Sequence, residues 1–194
     1  PKAWLSALLF FIYVGAEVSL GTWTYSLLVE SRGIAPELAG LVTGSFWAMF
    51  TVGRLIAGLY AKRAGVDLIV QCAVIASIVG AVLLLLNPSE FVSLLAVALI
   101  GFSIAPVFAA LTSGTSKRVS VQHAANTIGM QMAFSGLGGA TIPGLIGILA
   151  RRFSLELIPV CLIIVFAVLF GLYRLSMLHQ KATTVWNSQE DLIT

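Results

Sequence analysis

Six long apolar segments constrain the fold of this 194-residue chain more than any other feature of its sequence. Each has about the length of roughly 20 mainly apolar residues that a helix needs to cross the hydrocarbon layer of a bilayer. Runs such as residues 81–86 show no alternation of polar and apolar positions, so helices are favoured over the strands of a membrane barrel. The sequence therefore predicts an all-α membrane protein with six transmembrane helices. We place them at residues 4–29, 36–60, 67–86, 90–113, 122–150 and 155–178.

The composition excludes several functional classes. The chain is 59% hydrophobic and 10% charged, whereas a soluble domain has about 45–50% apolar and about 25% charged residues. Its net charge of +3 lies in short clusters between the apolar segments, without the basic face that nucleic-acid binding needs. Cys72 and Cys161 lie inside apolar segments, and His123 and His179 lie at their edges, without metal-ligand spacing. We expect no enzyme activity, no metal, no cofactor and no nucleic-acid partner.

The distribution of basic residues predicts the orientation in the membrane. Cytoplasmic loops carry an excess of Lys and Arg, and this excess results if both termini are cytoplasmic. We therefore expect a multi-pass protein of the cell (inner) membrane with both termini in the cytoplasm. In this orientation the inner segments hold Lys2, Lys62, Arg63, Lys117, Arg118, Arg174 and Lys181, and the outer loops hold Arg32, Arg151 and Arg152.

The chain is predicted to form one transmembrane unit followed by a tail. Residues 1–180 contain the six helices, joined by loops too short to hold a soluble domain, and residues 181–194 form a polar, flexible cytoplasmic tail. Basic loops follow both the second and the fourth helix, which favours two groups of three helices. The chain begins with Pro1 rather than Met, and we interpret it as part of a longer protein.

Glu17 is the residue that fits least well in lipid. It lies about 13 positions into the first helix, roughly 20 Å deep at 1.5 Å per residue, where a carboxylate costs at least about 2.5 kcal/mol. Tyr13 and Thr24 share its helical stripe, so a polar cavity or partner is expected on that face. We interpret Glu17, Tyr13 and Thr24 as a substrate or proton site. The alternative is a protonated structural carboxyl that is hydrogen-bonded between helices.

Three further side chains are candidates for the same pathway. Arg54 shares a face of the second helix with Trp47. We expect it either to contact the substrate or a charge partner, or to extend to the inner interface as long cationic side chains do. Gln131 shares its face of the fifth helix with Ser135 and either lines the pathway or packs between helices. Trp23 is interpreted as an interfacial anchor, with stacking on a sugar ring as the alternative.

Proline and glycine predict where the helices bend and approach one another. Pro106 removes one backbone hydrogen bond from the fourth helix, so a kink is expected there. The fifth helix is rich in glycine, and small residues let helix backbones approach closely in membranes. Such helices are suited to rocking motions as well as to plain close packing.

Two segments of the chain resemble the major facilitator superfamily. Residues 13–21, Tyr-Val-Gly-Ala-Glu-Val-Ser-Leu-Gly, look like the first helix of the C-terminal half in fucose-permease-like members. Residues 100–108, Ile-Gly-Phe-Ser-Ile-Ala-Pro-Val-Phe, look like their Gly-x-x-x-Ala-Pro-hydrophobic-Phe helix. The resemblance covers essentially all six helices, about residues 4–178.

The link between the second and third helices also resembles a motif of this family. The family's loop has a glycine, then after a few residues an acid, a basic residue and x-Gly. Gly58, Arg63 and Gly65 match that pattern, and Lys62 stands where the family has the acid. The resemblance implies that Gly58, Arg63 and Gly65 are gate-loop positions.

The resemblance further implies half of a twelve-helix major facilitator fold, built as two three-helix repeats, with helices seven to twelve in this chain. It implies a sugar:proton symporter that works by alternating access, with a sugar-like small solute and protons as substrates. A missing N-terminal six-helix half is then the partner of this chain. Glu17 is the residue that the resemblance carries over as a proton or substrate site.

Two other functions stay open at this point. An exporter of drugs or metabolites can have the same fold, with a cavity dominated by aromatic and Met side chains. A sugar carrier instead needs Asn, Gln, Asp and Glu to hydrogen-bond hydroxyl groups. The other class is a non-transporting membrane protein or a remnant of a transporter.

Overall fold

The computed structural model describes the backbone of residues 2–87, 89–115 and 121–190, and the side chains of residues 3–59, 65–87, 89–115 and 123–178. These segments consist of helices and short turns, and the described residues contain no strand. The all-α class and the six predicted transmembrane helices are confirmed. The helices long and apolar enough to cross a membrane are Ala3–Ser31, Pro36–Leu59, Val66–Leu86, Glu90–Ser113, His123–Arg152 and Leu157–Leu178.

The first span consists of α1 and a short π-helical turn, and the fourth span is divided in two. The division lies at Pro106, which lacks a backbone N–H, and a bend of the span there stays a prediction. The last helix continues beyond residue 180, to Glu190, into the segment predicted to be a tail. The flexibility of that tail stays a prediction. In chain order the elements are α1 (Lys2–Ser26) with the π turn Leu27–Ser31, α2 (Pro36–Ala64), α3 (Val66–Leu86), α4 (Glu90–Ile104), α5 (Val107–Ser113), α6 (Val121–Arg152) and α7 (Leu157–Glu190).

Local signals in the sequence account for the helix ends. Pro36 occupies the first turn of α2, where its missing N–H is not needed. Gly65 alone joins α2 to α3 with a φ of 75°, a conformation that favours glycine. Asn87 closes α3 in the left-handed region. Ser89 caps α4 by accepting a hydrogen bond from the backbone N–H of Val92 at 3.3 Å.

Small residues allow the helices to pack closely. α1 packs mainly against α6 and α7, α2 against α4, and α3 against α4 and α7. Gly138 of α6 lies directly on the backbone of Phe11 in α1, where a Cβ would overlap the Phe11 carbonyl. Gly53 of α2 meets the backbone of α4 in the same way, at Phe102. These contacts hold the bundle by packing, since lipid provides no hydrophobic driving force between helices.

The exterior of the bundle is apolar, as a lipid environment requires. Leu41, Leu55 and Leu59 are 70%, 69% and 77% exposed, and similar side chains lie on the other spans. A soluble monomer rarely exposes apolar patches of this kind. The chain is therefore a multi-pass membrane protein.

Its orientation in the bilayer stays a prediction. Most of the basic side chains that predict it lie outside the described residues, namely those of Lys2, Lys62, Arg63, Lys117, Arg118 and Lys181.

An ion pair between the buried Arg32 and the partly exposed Glu156 joins the predicted outer ends of several spans. The Arg32 side chain is 5% exposed and donates from Nε to Glu156 Oε1 at 2.9 Å and from Nη2 to Glu156 Oε2 at 2.7 Å. It also donates to the Leu84 carbonyl at 2.8 Å and to Ser93 Oγ at 3.2 Å. Arg32 therefore connects the end of the first span to α3, to α4 and to the loop before α7. The sequence indicated only an outer-loop charge here.

The close approach of α1 and α6 predicts a matched pair of glycine variants. Gly138→Ala is expected to destabilise the protein by about 1–3 kcal/mol, because the added methyl group forces α1 and α6 apart. Gly136→Ala is the control, since open space surrounds Gly136. Thermal unfolding of the purified protein in detergent measures both. Equal melting temperatures for the two variants would show that this contact does not limit the packing.

The ion pair predicts a pH-dependent loss of stability. The hydrogen bonds from Arg32 lower the pKa of Glu156 in the folded protein. Its contribution is therefore complete above the unfolded pKa of about 4.3 and is lost as the pH falls through the lowered folded value. Glu156→Gln should cost about 1–3 kcal/mol at neutral pH, because it leaves the buried Arg32 charge uncompensated while Glu156 itself is partly solvated.

The comparison is the melting temperature of Glu156→Gln and of the unmodified protein from pH 7 downward. The difference between the two melting temperatures should narrow as the pH falls below the unfolded pKa of about 4.3, and it should vanish below the lowered folded pKa of Glu156. Glu37→Gln changes an exposed carboxyl in the first turn of α2 and serves as the control. A Glu156→Gln variant as stable as the control at neutral pH would contradict the role of this pair.

Candidate functional site

Glu17 lies in a polar cluster formed by residues that are distant in the chain. It is partly exposed, and its carboxyl interacts with the Tyr13 hydroxyl and with the charge of Arg54 on α2. Tyr13 lies one turn earlier on the same face of α1, as the helical spacing predicts. Tyr13 is fully buried, and its hydroxyl donates to the Ile104 carbonyl at 3.4 Å, next to the break between α4 and α5. The structure thus brings together Tyr13, Glu17 and Arg54.

Two aromatic rings of α2 complete this cluster. The guanidinium carbon of Arg54 lies 4.4 Å from the centroid of the Phe50 ring, within the range of a cation–π contact. Trp47 is 47% exposed and meets Phe50 edge-on at 5.9 Å between centroids. The Trp47 ring packs on Gly21 of α1, one turn from Glu17. We call Tyr13, Glu17, Trp47, Phe50 and Arg54 the α1–α2 cluster.

A cavity of about 480 Å³ opens beside Arg54, between α2, α3 and α5. This volume is in the range of small-molecule sites. Its walls are mostly apolar, and Phe108, one of the wall residues, also lies 6.1 Å from the Tyr13 ring between centroids. A second cavity of about 280 Å³ shares Ala57, Ile69 and Pro106 with the first. The α1–α2 cluster therefore adjoins a space large enough for a ligand.

Two other predicted site residues are engaged elsewhere. Thr24 is buried, and its hydroxyl donates to the Leu20 carbonyl of its own helix at 2.6 Å. Gln131 is 0% exposed, and its Nε2 donates to Ser6 Oγ at 2.6 Å and to Thr115 Oγ1 at 2.9 Å. The Gln131 amide thus joins α6 to α1 and to the end of the fourth span. A role of Thr24 and Gln131 in the pathway stays a prediction.

The predicted gate-loop residues lie at the end of α2. Gly58 is exposed and lines the larger cavity. Gly65 provides the positive φ that joins α2 to α3. The backbone of Arg63 lies within α2, and its side chain is not among those that the structure describes. The gate function of Gly58, Arg63 and Gly65 stays a prediction.

Trp23 has a role that sequence reasoning missed. Its indole N–H donates to the Pro143 carbonyl at 2.9 Å, and its ring packs on Gly147. This is a contact between α1 and α6, and the roles as interfacial anchor or sugar-stacking surface stay predictions. The glycines of α6 were the sequence signal for this contact, because a glycine leaves space for an aromatic ring on the facing helix, as Gly147 does for Trp23.

Comparison with known proteins agrees with this architecture. A family model for the Major Facilitator Superfamily matches residues 5–190. The chain is 30% identical over 173 residues to the Saccharomyces cerevisiae protein named Bypass of stop codon protein 6, covering 82% of this chain and 34% of that protein.

Two mammalian proteins are also similar. The chain is 27% identical over 151 residues to Sodium-dependent glucose transporter 1 of Homo sapiens, covering 75% of this chain and 28% of that protein. It is 30% identical over 151 residues to Sodium-dependent glucose transporter 1A of Mus musculus, covering 75% of this chain and 34% of that protein. The chain thus spans about a third of the length of the curated relatives it matches. With six apolar helices and a family match along nearly its whole length, this chain belongs to the major facilitator superfamily, whose members are membrane transporters rather than enzymes.

Proposed function

We propose that this chain is the C-terminal half of a secondary active transporter that moves a sugar-like small solute by alternating access, coupled to protons. The missing N-terminal six-helix half supplies the other side of the substrate path. The observation that carries the proposal is the partly exposed Glu17 carboxyl, which interacts with Tyr13 and Arg54 inside the span Ala3–Ser31.

The position of Glu17 supports a role in proton coupling. It lies at the midpoint of its span, where an ionised side chain is costly and by default marks a substrate or ion pathway. The positive charge of Arg54 offsets part of that cost when Glu17 is ionised. Protonation of Glu17 removes the negative charge opposite Arg54, so a proton changes the charge balance at the place where a solute would bind.

The α1–α2 cluster also has the chemistry for a sugar-like solute. Trp47 offers an exposed aromatic ring, and Glu17 and Arg54 offer an acceptor and donors for hydroxyl groups. The names of the human and mouse relatives, as glucose transporters, support a sugar as the solute. The same names specify sodium, which makes Na⁺ the competing coupling ion for a carboxylate such as Glu17.

One observation favours a second candidate function. The walls of both cavities are mainly aliphatic or aromatic, with Ser113 and Ser103 among the few polar members. A carrier of hydroxyl-rich solutes needs more hydrogen-bonding side chains than these cavities present. An exporter of apolar drugs or metabolites is therefore the alternative on the same fold.

The proposed setting is the cell (inner) membrane, with both termini in the cytoplasm. The excess of basic residues in the segments that would then face the cytoplasm supports this orientation. This orientation places the ion pair of Arg32 with Glu156 on the outer side and Gly65 on the inner side.

Uptake by the full-length protein in proteoliposomes tests the proposal. Radiolabelled glucose is offered under an inward proton gradient, under an inward sodium gradient, and with neither. We expect the proton gradient to drive uptake, and Glu17→Gln to abolish this coupling because the amide cannot release a proton. Glu37→Gln is the matched control, since Glu37 is exposed at the start of α2.

The outcomes separate the parts of the proposal. Proton-driven uptake that persists in Glu17→Gln would rule out Glu17 as the coupling site. Uptake driven only by sodium would overturn proton coupling while leaving the solute in place. Efflux of an apolar dye without any sugar uptake would favour the exporter.

A further inference from the structure

We propose that the cavity beside Arg54 is a binding site for a small organic anion with an apolar body, such as a medium-chain monocarboxylate. The site differs from the proposed sugar contacts in the α1–α2 cluster, although Arg54 belongs to both. It goes beyond the proposed function because it requires neither sugar transport nor a gradient.

The shape and the walls of the cavity carry the first part of the argument. The cavity of about 480 Å³ is lined mainly by apolar groups, which include Val66, Ile69, Pro106 and Phe108. Such walls stabilise an apolar body by removing it from water, at roughly 25 cal/mol per Å² of buried apolar surface. They offer few partners for the hydroxyl groups of a carbohydrate, whose burial without hydrogen bonds is costly. The body of the ligand is therefore aliphatic or aromatic.

The charge at the edge of the cavity carries the second part. Arg54 is exposed, and its guanidinium carbon lies 4.4 Å from the centroid of the Phe50 ring. Within the part of the chain that the structure describes, the only ion pair within 4.0 Å is that of Arg32 with Glu156. Arg54 therefore holds none of the described carboxylates at contact distance, although Glu17 acts on it through its charge. A planar guanidinium carries five N–H donors in a fixed geometry that matches the two oxygens of a carboxylate.

The depth of Arg54 distinguishes a free anion from a lipid headgroup. Arg54 lies about 11 positions before Gly65, where α2 ends, and this separation is roughly 16 Å along the helix. The opposite end of the cavity reaches Val66, at the start of α3, and Ser113, at the end of α5. A headgroup held at the interface would meet the Val66 end of the cavity rather than Arg54. The geometry therefore favours a free anion that enters with its carboxylate directed toward Arg54.

Binding of octanoate to the full-length protein tests this site directly. The protein is placed in nanodiscs of neutral phosphatidylcholine, and equilibrium dialysis measures radiolabelled octanoate and its neutral analogue octanamide. Octanoate should bind more tightly than octanamide. Arg54→Gln should weaken octanoate binding roughly tenfold to a hundredfold, the loss expected for a hydrogen bond to a charged group, and should leave octanamide binding unchanged.

Two further variants keep the test independent of folding. Ala109→Phe fills the cavity from an exposed wall position without removing any charge, and it should weaken octanoate and octanamide binding alike. Arg174→Gln removes an exposed arginine of α7 that lines neither cavity, and it should change nothing. Melting temperatures of all variants verify that they are folded.

Three results would overturn the proposal. One is equal affinity for octanoate and octanamide, and another is an Arg54→Gln variant that binds octanoate normally. The third is displacement of octanoate by phosphatidate added to the nanodiscs, which would assign the cavity to a lipid headgroup instead. Because no gradient is applied, failure of sugar uptake leaves this result unaffected, and failure of octanoate binding leaves the uptake result unaffected.

Discussion

The absence of hydrogen-bond partners in lipid is the constraint on which this structure depends. Each polar group inside the membrane must find its partner within the protein. Among the described residues, no buried side-chain nitrogen or oxygen lacks one. Gln131 and Arg32 each donate hydrogen bonds to several partners on other helices or loops, so they hold the helices together. Glu17 is partly exposed and Arg54 is exposed, and because both carry charge inside predicted spans they are the best candidates for contact with a ligand.

The same constraint links the candidate site to the parts of the fold that can bend. Pro106 divides the fourth span, and the Tyr13 hydroxyl donates to the Ile104 carbonyl beside that division. Tyr13 also interacts with Glu17. A change of charge at Glu17 therefore acts next to the point where the backbone of the fourth span is least supported. Near the predicted outer end of the bundle, Arg32 connects several spans through its hydrogen bonds.

Much of the fold could be predicted from local sequence, and so could part of the candidate site. Helix length and type depend on apolar runs and on residues such as Pro36 and Asn87, whose effects are local. Helical spacing placed Tyr13 with Glu17 because both lie on one helix. The pairing of Arg32 with Glu156 and of Trp23 with Pro143 joins residues more than 100 positions apart. Their contacts depend on which helices are neighbours, and no periodicity in a single sequence specifies that.

The central claim is that Glu17 faces an aqueous path rather than lipid, and its reactivity as a cysteine tests this most directly. In full-length protein with Cys72 and Cys161 replaced by Ser, Glu17→Cys and Ile164→Cys are exposed in membranes to a charged, water-soluble thiol reagent. Ile164 is 57% exposed on α7, on a surface expected to face lipid. Since a thiol reacts as the thiolate, which requires water, position 17 should be labelled and position 164 should not. If both positions are equally unreactive, the carboxyl lies in lipid or in a sealed core, and the account of the site is wrong.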